Sequence, residues 1–230
     1  MEFLDKLILT THIASGTISL ILFWIPVMVK KGSKVHNNVG KAYVFFMWIV
    51  LTTSIALSVI NSLQGMYVLA AFLGYLGLLT GQPLWYAIAI TKHKKVVPLH
   101  IIKIQLVLKY ALIIFGAVLI IWSIALSLKG LSVLLLIFGL LGIFASIRYV
   151  RASRKDLIHK TSWLYDHLDG MVVSGIAAYT AFFAFGGSQM LSSFLPGPMM
   201  AIPWMLPTVI GRILISRYTK SFNLKNSLAK

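Results

Sequence analysis

Seven apolar stretches of roughly 20 residues or more run through this chain, with only short polar connections between them, and that is the length a helix needs to cross the hydrocarbon core of a bilayer. They fall at Leu4–Val29, Gly40–Ile60, Met66–Ile90, Ile104–Leu128, Leu131–Val150, Leu164–Phe185 and Met199–Ser216. Only Lys129 and Gly130 divide the fourth from the fifth, a connection that requires an antiparallel hairpin. A soluble alternative fails on composition. Of the 230 residues 59% are hydrophobic and 11% charged, against about 25% charged in an ordinary soluble domain. The expected fold is therefore all-α, a seven-transmembrane-helix bundle forming a single domain over residues 1–230. The run after Lys6 is too long for a signal-peptide core and has no small-residue cleavage site behind it, so it reads as a retained first span.

Charge placement gives the expected threading. The net charge of +16 would suggest nucleic acid if it lay on one soluble face, but the basic residues sit between the spans. Lys30, Lys31, Lys34 and Lys41 follow the first span; Lys92, Lys94, Lys95 and Lys103 follow the third. Arg148, Arg151, Arg154, Lys155 and Lys160 follow the fifth, and Arg217, Lys220, Lys225 and Lys230 make the tail. Lys6 and Lys129 are left for the other side. Because cytoplasmic loops carry the lysine and arginine excess, the amino terminus is expected outside and the carboxyl terminus inside. The protein then belongs in the inner, cytoplasmic membrane as a multi-pass chain, with anionic lipids at its cytoplasmic face as partners and no nucleic acid.

Small residues mark the faces that pack in lipid. His12, Gly16, Ser19, Phe23 and Pro26 share a face of the first span, and Gly74, Gly77 and Gly81 share one on the third. Gln82-Pro83 follows and should kink that helix and free backbone carbonyls. On the sixth span His167, Gly170, Ser174, Ala178 and Ala181 align, while Asp169 lies about 200° around the helix from His167.

The absence of cysteine removes disulfides, thiolate metal sites and iron–sulfur clusters, so any redox chemistry must come from a bound cofactor. Histidine and carboxylate gather between His159 and Gly170, where His159, Asp166, His167 and Asp169 stand. At 1.5 Å per residue, His12 lies about 9 Å to the outer side of the midplane and His167 about 12 Å to the inner side. They therefore belong to different sites. His12 reads first as a buried histidine bonded to a neighbouring hydroxyl, with a haem pairing to Met66, Met190, Met199 or Met200 as the other option. His167 can meet His36 or His100 at its own depth, which is what axial ligation of a b-type haem requires. The lysines and arginines nearby would suit the propionates. Asp169 lies at a depth comparable with Lys109 and Arg212, and either cation could pair with it or share a proton-handling role with Asp166 and Asp169. Both cations also have stems long enough to reach the interface. His93, in Lys-His-Lys-Lys, and His159 read as loop residues.

Two other chemistries compete with haem b. An intramembrane metal-dependent hydrolase would draw three ligands from His36, His167 and Asp166 or Asp169, and a small-molecule transporter would use the Gln82-Pro83 kink and the polar inner cluster as its pocket.

His12-Ile-Ala-Ser-Gly16, Lys30 to Tyr43, Trp163 with His167-Leu-Asp-Gly-Met171, Ala177 to Phe182 and Trp204-Met-Leu-Pro207 together resemble a family of uncharacterised bacterial polytopic membrane proteins, the domain of unknown function 2306. The resemblance spans most of the chain. It implies a multi-pass membrane protein without an assigned activity, and it draws attention to His12, His36 and His167, the histidines inside its motifs. At the level of fold alone the pattern is also similar to the haem-bearing helix bundles of b-type cytochromes. The functional expectation is a redox protein holding haem b and exchanging electrons with a quinone near the inner face.

Overall fold

Hydrocarbon offers no water to backbone amides, so a spanning segment must satisfy its own polar groups, and a helix does so within itself. The computed structural model describes residues 2–127, 132–154, 163–191 and 201–228. Among them the chain forms seven helices: α1 (Glu2–Met28), α2 (Lys34–Leu63), α3 (Tyr67–Thr91), α4 (Leu99–Ala125), α5 (Ser132–Arg154), α6 (Trp163–Leu191) and α7 (Ala201–Leu228). Six of the described helices, α1 to α6, are long and apolar enough to cross a membrane. The last, α7, corresponds to the seventh expected span, but Met199 and Met200 of that expectation lie outside the described residues.

Most helices outrun the apolar stretches that announced them, because local capping and not hydropathy ends them. At the start of α2 the Ser33 hydroxyl accepts from the backbone N–H of His36 at 3.1 Å, so the helix begins six residues before Gly40. Its other end closes through Gly65, whose φ of 78° is in the left-handed region. Gly65 N donates to Ser62 O at 3.1 Å and Met66 N to Asn61 O at 2.8 Å, the paired bonds of a Schellman turn. At the end of α1, Lys31 Nζ donates to the carbonyls of Pro26 and Val27 at 2.6 and 2.7 Å.

Helix α4 shows why the assembly suits lipid. Gln105, Lys109, Gly116 and Ser123 are buried, whereas Val107, Ile114, Phe115, Val118 and Ile121 are exposed. Polar and small residues share the inward face with Leu112 and Leu119, and large apolar residues also cover the outward face, where a water-soluble helix would carry polar ones.

The chain divides into two compact units, Met1–Gln82 with Pro98–Lys160, and Pro83–Val97 with Thr161–Lys230. In the first unit α1 and α2 pack antiparallel: His12 meets Thr53, Gly16 faces Val50, and the rings of Phe23 and Tyr43 lie 5.9 Å apart. The glycine face of α3 packs on α2 as its spacing predicts. Gly74 faces Ser58, Gly77 faces Ser54 and Gly81 faces Leu51, and the two serines donate to the α3 carbonyls of Ala70 and Leu73 at 2.7 and 3.1 Å. The α4–α5 pair is the expected antiparallel hairpin, in a register that sets Gly116 against Gly139 and bonds Ser123 Oγ to Ser132 O at 2.6 Å. Phe72 and Phe138 meet edge to face with centroids 5.1 Å apart, closing the core between α3 and α5.

In the second unit the remainder of α3 lies against α6. A Cβ added at Gly170 would stand 2.7 Å from the Pro83 carbonyl oxygen and 2.8 Å from Ala87 Cβ, so only glycine allows this approach. Helix α7 packs on α6 with Gly211 against Ile176 and Val172. Pro83 lies inside α3, which continues to Thr91.

Candidate functional site

The second unit holds the histidine of most interest. His167 stands in the second turn of α6, half-buried, one turn before the glycine that seats this helix on α3. Its Nδ1 is 2.9 Å from the carbonyl oxygen of Ala87. A carbonyl can only accept, so Nδ1 carries a proton in this contact. Asp166 lies half-buried in the first turn of the same helix. Asp169 is half-buried two residues beyond His167.

Just past Ala87 the α3–α4 connection forms a basic concavity. Thr91, Lys92, His93, Lys94, Lys95 and Val96 line a cleft of about 480 Å³, and Lys94 Nζ lies 4.7 Å from the centroid of the Trp163 ring. That distance is within cation–π range. His93 therefore sits in a loop, as its lysine-rich surroundings indicated, though it lines this cleft. Arg212 on α7 is exposed, consistent with a stem reaching outward.

The first unit carries the other candidate histidines. His36, in the first turn of α2, is half-buried with Nδ1 3.2 Å from the Pro26 carbonyl oxygen, which again places the proton on Nδ1. His12 Nδ1 is 2.9 Å from the Thr53 hydroxyl, and that hydroxyl donates its single proton to the Ile49 carbonyl at 2.7 Å. His12 is thus paired with a hydroxyl on the neighbouring helix. His100, at the start of α4, is exposed. Met66, one of the methionines considered for His12, is 44% exposed at the α2–α3 turn. Met199, Met200 and His159 lie outside the described residues.

Lys109 departs from the outward reach that its stem permits. It is 9% exposed, with Nζ 6.0 Å from the Tyr149 ring centroid, because it shares the face of α4 that carries Gln105, Leu112 and Gly116 into the packing with α5. Stem length sets how far a lysine can reach, and the helix face sets where.

Three buried polar features escaped the sequence. Gln105 accepts from Gln82 Nε2 at 2.6 Å, so the residue before Pro83 spends its amide on α4. Tyr75 donates to Leu112 O at 3.0 Å. Ser146 Oγ is buried without a hydrogen-bond partner, level with Lys109 in the α4–α5 register. Gln82 and Gln105 stand in apolar helices with several near-equivalent faces, so nothing in the sequence pairs them. Among the described residues no three histidine or carboxylate groups stand close enough to hold a metal ion.

Compared with family models, curated proteins and solved structures, the chain matches none.

Proposed function

We propose that this chain is a seven-span protein of the inner membrane, amino terminus outside and carboxyl terminus inside, that binds a b-type haem through His167. The observation carrying this reading is the bond from His167 Nδ1 to the Ala87 carbonyl. Iron and other metal-ligating histidines characteristically donate the second ring N–H to a carbonyl or carboxylate, which fixes the tautomer and aims Nε2. The close approach at Gly170 holds the α6 backbone one turn away and limits how far that ring can move. Of the two histidines expected as a second ligand, His36 has its Nδ1 on the Pro26 carbonyl in the same way, while His100 is exposed. Bound haem would supply one-electron chemistry; the chain's own part is to orient the imidazoles and exclude water. Quinone in the inner leaflet is the proposed electron partner.

The two competing chemistries draw less support. A zinc hydrolase needs three ligands at one point, and the described residues do not gather them. The half-helix ends that transporters aim at substrates find no counterpart at Gln82-Pro83, where α3 is continuous.

An absorption spectrum of protein expressed with ample haem tests the proposal. A Soret band that disappears in His167→Ala and persists in His93→Ala is expected. No band in the wild-type protein, or stoichiometric zinc in its place, overturns it. Threading is tested separately: the natural chain has no cysteine, so single cysteines at Gln64 and at Lys95 report by labelling which side each loop faces. Gln64 should react from outside and Lys95 only after permeabilisation.

A further inference from the structure

We propose that the cleft formed by Thr91–Val96 is a binding site for the phosphate of an anionic phospholipid. It rests on the membrane reading above, and not on the haem.

Three of the six residues lining this cleft are lysines and none is acidic, so the site carries a net positive field. The cleft directly follows the candidate span Tyr67–Thr91, which puts it at headgroup depth, where a phosphodiester would lie. Its floor is fixed. Lys92 N and His93 N bond back to Ala89 O and Ile90 O at 3.2 and 3.0 Å, and Thr91 Oγ1 donates to Ile88 O at 2.7 Å. At its far edge Val96 is 73% exposed, an apolar neighbour for the first methylenes of an acyl chain.

The ordinary explanation for lysines after a helix is that they cap its carbonyls. Lys31 shows what that looks like in this chain, with Nζ on the carbonyls of Pro26 and Val27. Lys94 is placed differently. Its ammonium lies over the Trp163 ring, which restrains the side chain without using up its three donors, and tryptophan is itself a residue of the membrane interface. An ammonium held by an aromatic face beside two further lysines is suited to phosphate, which accepts several donors at once. Basic pockets beside membrane spans are where lipid phosphates bind, at about a fivefold gain in affinity per lysine.

The test uses the full chain in detergent micelles, titrated with phosphatidylglycerol or phosphatidylcholine and read by native mass spectrometry. The wild-type protein should retain phosphatidylglycerol preferentially. The triple variant Lys92→Gln, Lys94→Gln, Lys95→Gln should weaken that retention by more than tenfold, and Trp163→Leu should weaken it less. A control of equal charge, Lys30→Gln, Lys34→Gln, Lys41→Gln, should leave it within twofold. Equal loss in both triple variants would reduce the effect to net charge and overturn the site, as would equal retention of the two lipids. Displacement of phosphatidylglycerol by millimolar inorganic phosphate alone would make it a free-anion site and overturn the lipid assignment. A Soret band recorded on the same samples separates this outcome from that of the haem proposal, since either can fail while the other stands.

Discussion

Tyr75 on α3 donates its hydroxyl proton to the carbonyl of Leu112 on α4, 3.0 Å away, through a notch that side chains on α4 and α5 leave open. The notch exists because positions 116 and 142 are glycine: a Cβ at either would run into the Tyr75 hydroxyl. Interhelical hydrogen bonds of this kind, made where backbones approach closely, hold helices together when lipid removes the hydrophobic incentive to associate.

Gly142→Ala should therefore destabilise the protein by about 1–3 kcal/mol, the usual cost of forcing extra volume into a packed seam. In a Tyr75→Phe background the same change should cost less, because the hydroxyl it collides with is gone. Unfolding midpoints of the two singles and the double check the cycle. Additivity to within about 0.5 kcal/mol would mean that the notch is not shared.

The amide pair of Gln82 and Gln105 gives a second cycle. Gln82→Leu leaves the buried Gln105 oxygen without its donor and should cost about 1–3 kcal/mol, whereas Gln82→Leu with Gln105→Leu should come close to neutral. Equilibrium unfolding in mixed micelles would separate the two. A double variant as unstable as the single would show that the pair contributes more than its mutual bond.

At the α3–α6 crossing, Gly170→Ala places a methyl group against the Pro83 carbonyl and Ala87. Backbone on one side cannot yield cheaply, so a loss of about 1–3 kcal/mol is expected, together with a disturbed His167–Ala87 bond. If haem is bound, the Soret band should shift or weaken in this variant although no ligand has been altered.

The ends of α2 separate two kinds of cap. Ser33→Ala should cost about 1 kcal/mol through the lost acceptor for His36 N–H. Gly65→Ala should cost about 1–2 kcal/mol because an L-residue at a φ of 78° brings its Cβ against the carbonyl. Gly65→Asn should recover part of this, as asparagine tolerates that conformation best among the rest. A thermal melt of the three variants in one detergent orders them.

What could be read in advance was whatever depends on a helix's own periodicity. The glycine face at 74, 77 and 81 and the inward face that carries His12 follow from spacing alone. Helix limits did not, because hydropathy marks where lipid begins and ends, whereas Ser33 and the Gly65 turn mark where backbone hydrogen bonding does. Pairings such as Gln82 with Gln105 and Tyr75 with Leu112 need the rotation of each helix about its axis, which several near-equivalent apolar faces leave undetermined in the sequence. Lys109 illustrates this: its stem reaches either way, and its helix phase turns it inward. The anchoring of His167 was hidden for a further reason, since its acceptor is a main-chain carbonyl and no residue type announces one.

The apolar outward face of α4 has an implication for how this sequence can drift. At Val107, Ile114, Phe115, Val118 and Ile121 the surroundings are fluid acyl chains that impose no shape, so exchange among large apolar residues should be close to neutral there. At Gly116 and Ser123 the surroundings are fixed backbone on α5, and few replacements fit. A saturation library along this helix should show tolerance rising and falling about every 3.6 positions, with its minima on the buried face that carries Gln105, Lys109, Leu112, Gly116, Leu119 and Ser123 and its maxima on the exposed apolar face. In a water-soluble protein the tolerant positions would accept polar residues; here they should accept apolar ones.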